Sequence, residues 1–113
     1  MKIQHIVLAT ALLLNSALVF AESVHLPQAI EHTKAAITQG GAGHVPTFLE
    51  HASTAREHAK ASEIAEVNPH TTEGILRLNL AIDDAEKGNA AAGTKHAKEA
   101  LNHFELARGR KNK

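Results

Sequence analysis

Histidine is the residue of this sequence whose number and spacing could do chemistry. The 113-residue chain contains nine histidines, and His51 precedes His58 by seven positions, as His96 precedes His103. Positions seven apart on an α-helix share a face but are separated by about 10.5 Å along its axis. Two imidazoles that bind one ion must each place a nitrogen about 2 Å from it. Histidines seven apart on one helix therefore predict separate sites in a row.

The partner of each histidine is predicted to come from a neighbouring helix. In an antiparallel helical hairpin, residues at the same height have position numbers with a constant sum. This rule pairs histidines in both halves of the chain: His25 with His58, His32 with His51, and His70 with His103. It also pairs His96 with Arg77, whose positive charge is expected to weaken metal binding there.

Nine side chains are the candidate metal ligands of the chain. They are His25, His32, His44, His51, His58, His70, His96, Glu99 and His103. Glu99 is included because it lies three positions after His96 and four before His103, within side-chain reach on one helix face. A single surface histidine is usually only a solvated polar residue, so the prediction depends on the whole set being in phase. A pH switch is the alternative use of such a set, because imidazole titrates near neutral pH.

The available ligand types favour a borderline divalent ion. The chain has no cysteine, and its one methionine is Met1, so sulfur ligands are absent beyond the first residue. Among ions that suit imidazole and carboxylate, Cu(II) binds most strongly by the Irving–Williams order. We therefore expect Cu(II), with Zn(II), Ni(II) or Co(II) also bound. No nucleophile with oxyanion donors is recognisable, which predicts a binding protein rather than an enzyme.

Four helices are predicted to position these ligands. Alanine, leucine, glutamate and lysine dominate, and they predict helices over about 27–39, 46–64, 69–88 and 90–108. Asn68-Pro69 is typical of a helix start, and Thr47 to Glu50 fits a capping box. Small or apolar residues recur at alternating three and four spacing, which is typical of bundles. The fold class expected is all-α, an antiparallel up-down four-helix bundle over residues 22–113.

The two predicted hairpins resemble each other. Residues 25–60 align with residues 70–105 at a constant offset of 45, and nine of the 36 positions are identical. Three of those nine are histidines, which bundle patterning alone does not require. The bundle is therefore interpreted as two copies of one helical hairpin.

The first 21 residues predict export. Lys2 is followed by an apolar stretch and by a small-x-small cleavage site at residues 19–21, as in secretory signal peptides. An uncleaved anchor is the alternative. Twelve basic and twelve acidic residues argue against nucleic acid or an anionic membrane as the main partner. We expect an exported protein with metal ions as partners, which could dimerise weakly through Leu76 and Leu80.

Several stretches resemble the small metal-binding proteins, a family of histidine-rich, cysteine-free periplasmic four-helix bundles. They are AIEHTKAAI, GHVPTFLEHASTAREHAKAS, GILRLNLAIDDAEKG and TKHAKEALNHFELA. The resemblance implies a monomeric bundle that binds several copper ions and other divalent metals. Where such proteins tend to carry further histidines, this chain has Gln39, Arg77, Asp84 and Asn89. Fewer sites are therefore expected, concentrated on helices one, two and four. The alternative function is a structural or partner-binding bundle whose association responds to pH.

Overall fold

Four α-helices and no strand make up residues 24–109, the part of the chain that the computed structural model describes. The helices are α1 (His25–Gly41), α2 (Val45–Ala65), α3 (Pro69–Glu86) and α4 (Ala90–Ala107). The all-helical prediction is confirmed. The predicted signal peptide, residues 1–21, lies outside the described residues. Between residues 24 and 109, no helix is long and apolar enough to cross a membrane.

Local signals account for most of the helix ends. The Asn68 side chain accepts a hydrogen bond from the His70 backbone N–H at 2.9 Å, as its predicted capping role requires. The capping box predicted at Thr47 is wrong, because α2 has already begun at Val45. Gly43, at a φ of 80°, turns the chain two residues earlier, and the helix follows at once. Helix α1 extends further than predicted and includes His25 in its first turn.

Each helix packs against two others: α1 contacts α2 and α4, and α3 also contacts α2 and α4. Two apolar clusters fill the space between them, one around Phe104 and one around Phe48. Most other members of both clusters are alanines. The small side chains let the helix backbones approach closely, so residues flanking the core of one helix come within reach of the next.

The two phenylalanines pack against glycines. Gly93 is the counterpart of Phe48 at the offset of 45, and a Cβ atom on Gly93 would lie 3.4 Å from the Phe48 ring. The same Cβ would lie 2.9 Å from the Ala81 carbonyl oxygen, closer than real Cβ contacts allow. A Cβ on Gly74 would overlap the ring of Phe104. Gly93 of the second hairpin thus makes room for the aromatic ring of the first, whereas Gly74 makes room for Phe104 within the second hairpin.

Candidate metal-binding site

The predicted histidine pairs of the first hairpin meet. The Nδ1 atoms of His25 and His58 are 3.2 Å apart, and so are those of His32 and His51. We call these the outer rung (His25, His58) and the inner rung (His32, His51). Residue numbers rise along α1 as they fall along α2 from one rung to the next. The two helices therefore meet in the order that the constant-sum rule predicts.

The nitrogen spacing within each rung fits a metal ion. Two nitrogens that each lie about 2.0 Å from one tetrahedral ion are about 3.3 Å apart, and cis positions of a square-planar ion bring them to about 2.8 Å. The observed 3.2 Å falls between these limits. Without an ion, one ring of each pair donates its N–H and the other accepts. Both Nδ1 atoms become ligands when each neutral ring carries its proton on Nε2.

The two rungs are joined into one array. The rings of His32 and His58 are stacked with centroids 5.7 Å apart and planes 11° from parallel. Ring centroids within each rung are 5.5 Å apart. His25, His58, His32 and His51 therefore form a continuous set, which we call the histidine ladder. All four side chains are half-buried.

The position of the ladder follows from the helix periodicity. His51 and His58 each precede a fully buried alanine, Ala52 and Ala59. His32 precedes the buried Thr33 in the same way. One step along a helix turns the side chain by about 100°, so a residue next to a core position lies at the edge of the interface. The ladder thus follows the seam between α1 and α2, where solvent and ions can reach it.

Burial favours the neutral form of His58. Desolvation lowers its pKa below the ordinary value of 6.5, and the facing imidazoles of His25 and His32 lower it further. A neutral imidazole is the form that binds metal, because a protonated ring has no free lone pair. The geometry of the ladder therefore reduces the competition between protons and metal ions at this residue.

The second hairpin has one histidine rung, formed by His70 and His103. Their Nδ1 atoms are 3.5 Å apart, and their ring centroids are 5.7 Å apart. His70 is exposed and His103 is half-buried. This rung has the predicted partners but a wider nitrogen spacing and more solvent than the two rungs of the ladder.

The neighbours of His96 agree with the prediction in part, because Glu99 was expected within reach and Asp84 was not. Its Nε2 lies 3.3 Å from Asp84 Oδ2, and its Nδ1 lies 3.0 Å from Glu99 Oε1. Arg77, the predicted partner of His96, instead pairs with Glu99 at 3.6 Å. The carboxylates are attractive neighbours for an imidazole, whereas a guanidinium is not. Asp84 was not among the predicted ligands, although it lies seven positions after Arg77 and fourteen after His70, in phase with both.

The His96 hydrogen bond also acts on Glu99. It holds the pKa of Glu99 below the usual 4.5, and the positive charges of Arg77 and Lys95 add to the effect. Glu99 is thus a carboxylate at neutral pH. Asp84 and Glu99 approach opposite nitrogens of the His96 ring, so one ion cannot use all three side chains as they stand.

His44 pairs with an amide rather than with another histidine. Its Nδ1 lies 3.0 Å from Gln39 Oε1 at the exposed turn between α1 and α2. The predicted extension of the row by His44 thus places only one imidazole there. Within residues 24–109, no group of three or more histidine, cysteine, aspartate or glutamate side chains could hold a metal ion. The candidate sites are therefore two-ligand pairs.

The sequence profile of one protein family matches most of the chain. Its description is "Small metal-binding protein", and the match spans residues 1–107. The chain belongs to the small metal-binding protein family. The resemblance drawn from the histidine-rich stretches is therefore confirmed, and with it metal binding as the general function. Comparison with curated proteins gives no match.

Proposed function

We propose that this small metal-binding protein buffers or scavenges divalent metal ions in the periplasm, with Cu(II) as the principal ion. Zn(II), Ni(II) and Co(II) are expected to bind more weakly to the same residues. The observation that carries the proposal is the 3.2 Å Nδ1–Nδ1 spacing in both rungs of the histidine ladder. It is supported by family membership.

The number of ligands favours buffering over a structural or catalytic role. Structural zinc sites are closed by four protein ligands, and catalytic ones commonly use three. A two-histidine rung leaves the remaining positions to water, so an ion can enter and leave without breaking the fold. The two rungs along the seam between α1 and α2 hold ions reversibly, which suits a protein that limits the free concentration of a metal.

The donor set favours copper. Imidazole nitrogen and carboxylate oxygen bind Cu(II) more strongly than Zn(II) or Ni(II) at open sites. The N-terminal signal pattern at residues 1–21 supports export to an oxidising compartment, where Cu(II) persists. An up-down antiparallel bundle of two duplicated hairpins is the architecture that we propose for these sites. The order of contacts along α1 and α2 supports it.

Calorimetric titration with Cu(II) tests the proposal. The double substitution His51→Ala, His58→Ala removes one imidazole from each rung of the ladder, and it is expected to abolish about two equivalents of tight binding. His44→Ala is the matched control, because it removes an imidazole that faces no other histidine. Native binding that persists unchanged in the double variant would rule out the ladder as the metal site.

A partner-binding bundle is the second candidate function. Leu76 and Leu80 are 50% and 45% exposed on one face of α3, which favours a contact with another protein or a second copy. This function predicts no metal uptake and a change of oligomeric state between pH 5 and pH 8. Size-exclusion chromatography at both pH values, with and without a chelator, separates it from metal buffering.

A further inference from the structure

The second hairpin lacks an equivalent of the inner rung because one of the two positions does not carry a histidine. At the offset of 45, His96 corresponds to His51, whereas Arg77 stands at the position equivalent to His32. The second hairpin thus keeps one imidazole and replaces the other with a guanidinium. Arginine remains protonated in proteins, so this position carries a permanent positive charge.

The guanidinium of Arg77 lies between two carboxylates. Its Nη1 is 3.6 Å from Glu99 Oε1, and its Nη2 is 3.7 Å from Glu73 Oε2. The same Glu99 oxygen is 3.0 Å from Nδ1 of His96. The Glu99 oxygen that could bind an ion together with His96 therefore also pairs with the positive charge of Arg77.

We infer that Arg77 keeps divalent ions out of the site formed by His96 and Glu99, so the two hairpins are unequal in metal binding. This inference rests on the proposed function. A fixed positive charge about 6 Å from a bound divalent ion lowers the affinity of the site for that ion roughly tenfold, even at the dielectric constant of water. The ion would also have to displace Arg77 from its ion pair with Glu99. The ion pair between Arg77 and Glu99 already joins α3 to α4 without a metal ion.

His96 and Glu99 would suffice for a two-ligand site once the charge of Arg77, which pairs directly with Glu99, is removed. His96 Nδ1 and Glu99 Oε1 are 3.0 Å apart, which is within the range that two ligands of one ion adopt. An imidazole with a carboxylate suits Cu(II) and Zn(II). Arg77 thus determines whether the site formed by His96 and Glu99 binds a metal ion, although Arg77 itself contributes no ligand.

A charge series at position 77 tests the inference by calorimetric titration of the purified protein with Cu(II). Arg77→Gln removes the charge and is expected to add one equivalent, at least about tenfold tighter than any native binding at His96. Arg77→His supplies an imidazole as well and is expected to bind that equivalent more tightly still. Arg77→Lys retains the charge and should bind the native number of ions.

Arg108→Gln is the matched control, because it removes the same charge from another arginine–glutamate pair, at the C-terminal end of α4. It is expected to leave the stoichiometry unchanged. Titration with Zn(II) gives a second measurement: the ¹⁵N chemical shifts of the His96 ring should move in Arg77→Gln and stay in place in Arg77→Lys. A purely structural role for Arg77 would not produce this difference.

The inference is overturned if Arg77→Gln and Arg77→His, with native circular dichroism, take up the same number of ions as the native protein. It is also overturned if Arg108→Gln gains an equivalent, since a general charge effect would then explain the result. Absence of any Cu(II) binding by the native protein would contradict the proposed function instead. The difference between the variants and the native protein decides the inference in either case.

Discussion

At the scale of single residues, His58 is one of the two imidazoles, with His32, that join the rungs of the histidine ladder. It contacts His25 within the outer rung and stacks on His32 of the inner rung. Its burial and these two neighbours lower its pKa, so the ring is neutral over more of the pH range than an exposed histidine. A side chain that joins the two rungs is thus favoured in its metal-binding form.

The lowered pKa of His58 predicts how the stability of the metal-free protein depends on pH. Because the unfolded chain binds a proton at this residue with a pKa near 6.5 and the folded chain binds it less tightly, protonation favours unfolding. The free energy of unfolding should therefore decrease as the pH falls through 6.5 towards the folded pKa. Urea denaturation between pH 7.5 and pH 5 measures this decrease.

His58→Gln provides the control for that experiment. Glutamine does not titrate, so the variant should show a smaller loss of stability over the same pH range. The same pH dependence in the variant and the native protein would show that other groups are responsible.

At the scale of the helices, close approach depends on small residues facing large ones. Phe48 and Phe104 are fully buried, and each lies where a glycine of another helix leaves room. Alanines fill most other core positions, so the interhelical spacing is set by backbone contact rather than by long side chains. This spacing brings α1 and α2 close enough for imidazoles at the seam to meet.

Gly74→Ala is expected to destabilise the protein. The added Cβ would overlap the buried ring of Phe104, and overpacking of this kind typically costs about 1–3 kcal/mol, more than the gain in helix propensity of about 1 kcal/mol. Gly41→Ala is the matched control, because a Cβ there would have no neighbour within 4 Å. Chemical denaturation should show a loss of stability in Gly74→Ala alone. Equal midpoints would mean that the core adapts to the added methyl group.

At the scale of the whole molecule, the rungs join helices within a hairpin. The ladder connects α1 to α2, and the rung of His70 and His103 connects α3 to α4. The contacts of α1 with α4 and of α2 with α3 depend on the core and on a few polar contacts, such as the hydrogen bond from Arg56 to Asn79. Metal binding should therefore stabilise each hairpin without being required for the hairpins to associate.

Metal ions are expected to raise the melting temperature. An ion that binds only the folded state stabilises it by about 2.7 kcal/mol per site at a free concentration one hundred times its Kd. For a domain of this size, each kcal/mol corresponds to roughly 4–8 °C. Calorimetry with and without Zn(II) measures the shift, and the His51→Ala, His58→Ala variant should lose most of it. A melting temperature that Zn(II) does not change would contradict binding to the folded ladder.

Much of the fold and of the candidate site is determined by the sequence alone. Helix periodicity places His51 and His58 on one face of α2, and a short turn requires α2 to return alongside α1. The pairing of His25 with His58 and of His32 with His51 follows from these two facts. These inferences need only the repeat of the helix and the length of the turn, both of which are local properties of the chain.

Only the tertiary structure decided the surroundings of His96 and the link between the rungs. Glu99 contacts His96 as its spacing predicts, but the sequence did not predict that Asp84 contacts the other ring nitrogen or that Arg77 pairs with Glu99. Long charged side chains have several possible partners within reach, and the packing around them determines which pair forms. The stacking of His32 on His58 likewise depends on the interhelical distance, which alanines, glycines and two phenylalanines set together. Backbone periodicity is local, whereas side-chain conformation at a seam depends on every group that packs there.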